Sequence, residues 1–157
     1  MKPFDLSELN LKSLFDKWDE VREEFKDCPK QSLGHQAYLC EQIIQNESNG
    51  KLKLLKDNPQ GDFVDNNGLF YESKEVKNAF KRDITPEITV KNFRGKCLGK
   101  PGKTYDFMIV VDSERRQIAM FNNEYVREKM EVKSATITVK LEKARAIQTI
   151  SPSKILL

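Results

Sequence analysis

The sequence predicts a single α/β or α+β domain in which helices flank a central mixed β-sheet. Its 157 residues are enough for one domain with a substantial hydrophobic core and too few for two ordinary domains. Apolar residues recur at helical spacing in the first part of the chain, and short strand-like runs separated by turn residues follow. Both kinds of element around one core are typical of a sheet covered by helices.

The composition narrows the classes of function. Hydrophobic residues make up 38% and charged residues 32% of the chain, with a net charge of +3, which is ordinary for a globular protein. The three cysteines form no C-x-x-C pair and His35 is the only histidine, so we expect neither a disulfide framework, nor a zinc site, nor a histidine-based triad. Without an apolar run of membrane-span length or a signal-peptide core, we expect a cytoplasmic protein with no membrane partner.

Two helices are predicted near the N-terminus. Apolar residues at intervals of three to five positions, with charged residues between them, predict an amphipathic helix over residues 6–26. Asp5 followed by Glu8 provides a start that resembles a capping box. The apolar stripe fits either packing on the chain's own core or a dimer contact, and the spacing does not distinguish the two. A second helix is predicted over residues 34–45, ended by the polar stretch NESNG.

The rest of the chain predicts strands. The run YDFMIVV, residues 105–111, is apolar enough for a central strand that is buried on both faces. Residues 123–130 predict a short helix. The predicted strands, bounded by turn residues, cover residues 52–55, 63–64, 69–76, 88–93, 105–111, 117–121 and 135–141.

The segment GDFVDNNGLFYESKEV, residues 61–76, concentrates charge around a strand-like Phe-Tyr run. Alternate side chains of a strand share a face, so Glu72 and Lys74 point the same way. The preceding turn brings Asp62 or Asp65 back toward them. Carboxylates gathered at one point repel each other unless a cation lies between them. Because oxygen ligands without histidine or thiolate favour Mg²⁺, the segment predicts a magnesium site with a lysine beside it.

Such a site suits hydrolysis of a phosphodiester. The lysine can orient water and stabilise charge on a phosphate oxygen, while the metal ion lowers the pKa of the water. A charged strand can equally be a solvated face. The runs Glu75-Val76-Lys77 and Glu131-Val132-Lys133 also spell E-x-K, but the first would turn Lys74 toward the core and the second lacks a nearby returning strand. Asp65 stays the closest alternative to Asp62.

At these residues the chain resembles a known family. The run DFVDNNGLFYESK, residues 62–74, is similar to the D-x-V-D-N-x-G-x-x-Y-E-x-K segment of the PvuII-like type II restriction endonucleases, which belong to the PD-(D/E)xK nuclease superfamily. In that pattern the first aspartate, the glutamate and the lysine form the active site. The resemblance therefore implies that Asp62, Glu72 and Lys74 are catalytic, that Asp62 and Glu72 bind Mg²⁺, and that Asp62 is chosen over Asp65.

The resemblance extends beyond this motif. Thr85-Pro86 followed by Ile88 and Lys91 is similar to the next strand of the family, and the runs YDFMIVV and QIAMF are similar to its central hairpin. The resemblance implies a restriction-endonuclease-like fold over residues 1–157, with the N-terminal helix, about residues 5–27, as a dimerisation element.

Two segments are predicted to contact DNA. The family has a histidine-rich, base-reading segment where this chain has KRDIT, residues 81–85, so the resemblance does not carry over the family's recognition sequence. KRDIT is expected to read bases, and contacts of Lys81 and Arg82 to phosphate or solvent alone are the alternative. The run KNFRGKCLGKPGK, residues 91–103, holds five basic residues and no acidic one, which suits a phosphate backbone. The candidate DNA-binding residues are Lys81, Arg82, Asp83, Thr85, Lys91, Arg94, Lys96, Lys100 and Lys103.

Together with the charged segment, the resemblance implies a Mg²⁺-dependent type II restriction endonuclease that acts as a homodimer on a short palindromic site in double-stranded DNA, with no small-molecule cofactor. One alternative is a DNA repair or recombination nuclease with the same core. The other alternative is a non-catalytic DNA-binding module whose acidic strand is only a solvated face.

Overall fold

The computed structural model describes residues 2–28, 33–56, 58, 60–75, 87–89, 105–128 and 136–150. Within these residues the chain forms a single-domain α+β fold with a six-stranded mixed sheet and three α-helices. The fold class predicted from the sequence is confirmed at this level. In the described part of the chain, no helix combines the length and apolarity needed to cross a membrane.

The helices are α1 (Leu11–Phe25), α2 (Leu33–Glu47) and α3 (Asn123–Glu128). The single helix predicted over residues 6–26 is interrupted. A 3₁₀ turn at Leu6–Glu8 ends before α1 begins, because two residues act as separate N-caps: Asp5 accepts a hydrogen bond from the Ser7 amide and Asn10 accepts one from the Ser13 amide.

The strands fall into two sheets. The large sheet has the order β1-β2-β3-β5-β6-β8, in which only β3 and β5 are parallel, and β4 pairs with β7 in a separate antiparallel ribbon. The strands are β1 (Lys53–Leu54), β2 (Phe63–Val64), β3 (Phe70–Glu75), β4 (Glu87–Thr89), β5 (Phe107–Asp112), β6 (Gln117–Asn122), β7 (Thr136–Thr138) and β8 (Ala146–Thr149).

Most predicted strands are present, and the predicted central strand is confirmed. β5 lies between β3 and β6, and its residues from Met108 onward are buried. Two differences occur near the C-terminal side. The strand predicted over residues 135–141 is shorter, since Leu141–Lys143 forms a 3₁₀ turn. β8 was not predicted; it forms because its backbone pairs with β6. The predicted strand at residues 88–93 is described only to Thr89, as part of β4.

The large sheet separates two hydrophobic clusters. The cluster on the side of α1 and α2, called the helix side, contains Leu14, Phe15 and Trp18 of α1, so the apolar stripe of this helix packs on the chain's own core. The short helix α3 contributes Val126 to the other cluster. A dimerisation role for residues 5–27 stays a prediction. Alternate residues of each strand serve the two sides: Tyr71 belongs to the helix-side cluster, whereas Phe70 packs against the opposite one.

Candidate active site on strand β3

The turn between β2 and β3 is organised by Asp65. Its Oδ1 accepts hydrogen bonds from the amides of Asn67 at 2.8 Å and Leu69 at 3.0 Å. Its Oδ2 accepts the hydroxyl of Tyr71 at 2.7 Å, on the helix side of the sheet. Burial, and then the hydrogen bond to Asp65, raise the pKa of the Tyr71 hydroxyl, which therefore remains a donor. Both carboxylate oxygens of Asp65 therefore accept hydrogen bonds that stabilise the turn and its contact with Tyr71.

Asp62 lies at the edge of β3, just beyond the last pair of the β2–β3 ladder. Its amide donates to the carbonyl of Tyr71 at 2.7 Å, which keeps the backbone of the two segments together. Its carboxylate oxygen Oδ2 accepts the amide of Ser73 at 2.9 Å. Because Ser73 stands between Glu72 and Lys74 in the strand, this bond holds the Asp62 carboxylate beside the same short stretch of β3.

The close approach of Asp62 to β3 requires a glycine before it. Gly61 has a φ of +154°, and a Cβ at this position would lie 2.8 Å from the carbonyl oxygen of Tyr71. Any larger residue would collide with the backbone of β3. Gly61 therefore lets the chain pass close enough for the side chain of Asp62 to reach Ser73.

Glu72 and Lys74 share the face of β3 opposite α1 and α2, as the alternation predicted. The Nζ of Lys74 lies 3.6 Å from Oε2 of Glu72. The glutamate is 1% exposed, whereas the lysine side chain is 21% exposed, so a buried carboxylate has an ammonium group on its solvent side. Burial, and then the negative charge of Glu72, raise the pKa of the Tyr105 hydroxyl, which lies in the hydrophobic cluster on this face.

Glu75, the next residue after Lys74, points to the helix side. Its Oε2 accepts the indole N–H of Trp18 and the hydroxyl of Ser113, both at 3.0 Å. Its Oε1 forms an ion pair with Arg22. The alternative register that begins at Glu75 therefore starts from a carboxylate that is already bound by α1. The other register, at residues 131–133, lies outside the described residues.

The residues brought together fit the preference of Mg²⁺ for hard oxygen ligands. Asp62 and Glu72 present carboxylates, and Mg²⁺ commonly binds one or two carboxylates and keeps water or phosphate as its other ligands. Within the part of the chain that the structure describes, no group of three or more His, Cys, Asp or Glu side chains is placed to hold a metal ion. A magnesium ion at Asp62 and Glu72 would therefore be of the kind that depends on water and substrate oxygens.

The predicted DNA-binding segments are residues 81–85 and 91–103. All nine candidate DNA-binding residues lie outside the described residues: Lys81, Arg82, Asp83, Thr85, Lys91, Arg94, Lys96, Lys100 and Lys103.

The contact between Glu75 and α1 was not predicted from the sequence. Nothing in the local pattern around Glu75 indicates this contact, because its partners are distant in sequence.

Comparisons with known proteins add no family. No protein-family model matches this chain, and no curated protein matches it significantly. A function for this chain is therefore inferred from the site itself and from the resemblance of residues 62–74.

Proposed function

We propose that this chain is a Mg²⁺-dependent nuclease with a restriction-endonuclease-like fold, and that it acts as a type II restriction endonuclease of the PD-(D/E)xK superfamily. One observation carries the proposal. Glu72 and Lys74 face the same side of β3 with 3.6 Å between Nζ and Oε2, and the Asp62 carboxylate is bound to the residue between them. These contacts support a site in which two carboxylates bind a metal ion and a lysine stands beside them.

In this proposal each residue of the site has one task. Asp62 and Glu72 hold the magnesium ion through carboxylate oxygens. When bound, Mg²⁺ supplies a Lewis acid for the scissile phosphate and lowers the pKa of the attacking water. Lys74 directs its ammonium group toward the phosphate, where it stabilises developing negative charge and orients water. The hydrophobic cluster beneath Glu72 keeps solvent away from one side of the site, which strengthens these charge interactions.

The substrate in this proposal is double-stranded DNA with a short palindromic site. A homodimer places one such site on each strand, since two-fold symmetry of the protein matches that of the DNA. The basic segments at residues 81–85 and 91–103 supply the contacts to bases and phosphates. In the same proposal the protein is located in the cytoplasm, where it encounters incoming DNA.

The test is cleavage of phage DNA of known sequence by the purified chain with and without Mg²⁺. Discrete fragments with shared ends support a restriction endonuclease. Cleavage confined to nicks, mismatches or branches indicates a repair or recombination nuclease, and DNA retention without cleavage indicates a binding module. EDTA should abolish cleavage.

Two matched variants test the residues. Asp62→Asn should abolish cleavage, whereas Asp65→Asn, in the same hairpin but facing the helix side, should keep cleavage per folded molecule. Full activity in Asp62→Asn, or loss only in Asp65→Asn, would refute the assignment of the site.

A further inference from the structure

Among the residues that the structure describes, the edge of β3 beyond Tyr71 is held on the β2 side by a side chain and not by a paired strand. On one edge β3 pairs with β5 as far as Glu75, but its pairing with β2 ends at Tyr71. Beyond that point the amide of Ser73 donates a hydrogen bond to the carboxylate of Asp62. The carboxylate of Glu75 then fastens the strand to the helix side through Trp18, Ser113 and Arg22.

The anchor on Glu75 has a geometric consequence for Lys74. Successive side chains of a strand point to opposite faces, so fixing the direction of Glu75 also fixes the direction of the residue before it. Glu75 is held by two hydrogen bonds of 3.0 Å and an ion pair, and its side chain is 17% exposed. A twist of the strand confined to residues 73–75 would break these contacts, and because Glu72 precedes the twisted part, it would move the Lys74 ammonium away from Glu72.

We propose that Glu75 is a positioning residue for the candidate site: by binding α1 and the β5–β6 turn, it orients Lys74 toward Glu72. The inference rests on the proposed function where it concerns cleavage, but the orientation of Lys74 is a property of the folded chain with or without DNA. Glu75 contacts no substrate in this scheme. Its effect is transmitted through one peptide unit.

Glu47 provides a matched control. Its Oε2 accepts a hydrogen bond from the Ser13 hydroxyl at 2.9 Å and one from the Lys17 ammonium at 2.7 Å. The side chain of Glu47 is 11% exposed. It therefore also ties α1 to the body of the protein through a carboxylate, but it does so at the end of α2 and not at β3. A variant of Glu47 reports the cost of loosening α1 alone.

The experiment compares Glu75→Ala, Glu75→Gln and Glu47→Ala by two measurements. The first is single-turnover DNA cleavage with saturating Mg²⁺, corrected for the folded fraction from urea unfolding. We expect Glu75→Ala to lower the rate by about 10²-fold, since a misplacement of about 1 Å can cost that much. Glu75→Gln should restore most of the rate, because its amide oxygen still accepts Trp18 and Ser113. Glu47→Ala should leave the corrected rate unchanged.

The second measurement is the ¹³Cε NMR resonance of Lys74, assigned by its loss in Lys74→Arg. It should shift in Glu75→Ala, return toward the parent position in Glu75→Gln, and stay in place in Glu47→Ala. If Glu75→Ala does not fold, Trp18→Phe and Ser113→Ala each remove one donor to Glu75 and should move the resonance in the same direction.

The outcomes separate the two proposals. If the parent chain does not cleave DNA but the Lys74 resonance responds as expected, the proposed function fails and the positioning role stands. Equal effects of Glu75→Ala and Glu47→Ala on the corrected rate and on the resonance would overturn the positioning role.

Discussion

Replacing Gly61 by alanine should push Asp62 away from the candidate site. An added Cβ would lie 2.8 Å from the Tyr71 carbonyl oxygen, so the two segments must separate by about 0.6 Å to reach 3.4 Å, where ordinary contact begins. The obstacle is the backbone of β3, which cannot turn aside as a side chain can. The φ of +154° adds strain of its own.

The magnitude follows from these two costs. Overpacking costs about 1–3 kcal/mol, and an unfavourable backbone conformation costs about 1–3 kcal/mol more. For a domain of this size each kcal/mol lowers the melting temperature by roughly 2–4 °C. The displaced Asp62 carboxylate should also lose the hydrogen bond from Ser73, so Mg²⁺-dependent cleavage should fall more steeply than the folded fraction.

Gly68→Ala is the matched control for this variant. Gly68 lies in the same hairpin with a φ of +82°, but nothing stands within 4 Å of an added Cβ. It should therefore show only the strain of the left-handed conformation, about 1–2 kcal/mol. Equilibrium urea unfolding and DNA cleavage, measured on both variants, separate strain from collision. Equal stability of the two variants, or full cleavage by Gly61→Ala, would refute the reasoning.

Two further predictions concern groups outside the catalytic set. Tyr71→Phe removes the hydroxyl that donates to Asp65 and accepts from the Phe4 amide, and should lower the free energy of unfolding in urea by about 1–3 kcal/mol. Cleavage per folded molecule should be kept, and its loss would indicate that Asp65 belongs to the catalytic site. Burial raises the pKa of Asp112 above its ordinary 3.8, so its contribution to stability is present below that value and is lost as the pH rises through the raised pKa. Asp112→Asn, whose amide oxygen can still accept the Arg115 amide, should therefore be more stable than the parent at neutral pH, and the gain should shrink in acid. A gain that does not change with pH would contradict the burial explanation.

The sequence was most informative where a local pattern sets the structure. The strands at Phe63–Val64 and Phe70–Glu75 and the buried strand at Phe107–Asp112 follow from apolar alternation and turn residues. The strand at Ala146–Thr149 was missed because its four residues alternate only weakly, and it exists through pairing with β6. The break between the first 3₁₀ turn and α1 follows from the cap at Asn10, which the apolar spacing alone does not indicate.

For the candidate site too, the local pattern predicts one part of the geometry and tertiary contacts decide the other. Alternation was enough to predict that Glu72 and Lys74 share a face. The choice between Asp62 and Asp65 needed the resemblance of residues 62–74, since both aspartates precede β3 in the same hairpin and the spacing fits either. What distinguishes them in the fold is tertiary: Asp65 accepts the hydroxyl of Tyr71 on the helix side, whereas Asp62 accepts the amide of Ser73. Hydrogen bonds of this kind depend on the folded backbone, so alternation and spacing alone do not indicate them.

The alternation of β3 also limits how this strand can evolve. Side chains at even positions, Glu72 and Lys74, stand on the face with the proposed chemistry, and those at odd positions, Tyr71 and Glu75, stand on the face that fastens the strand to the helices. Deleting or inserting one residue within the strand would move every following side chain to the opposite face of the sheet. An insertion or deletion within β3 therefore disturbs both faces at once, whereas a substitution changes the side chain on only one of them.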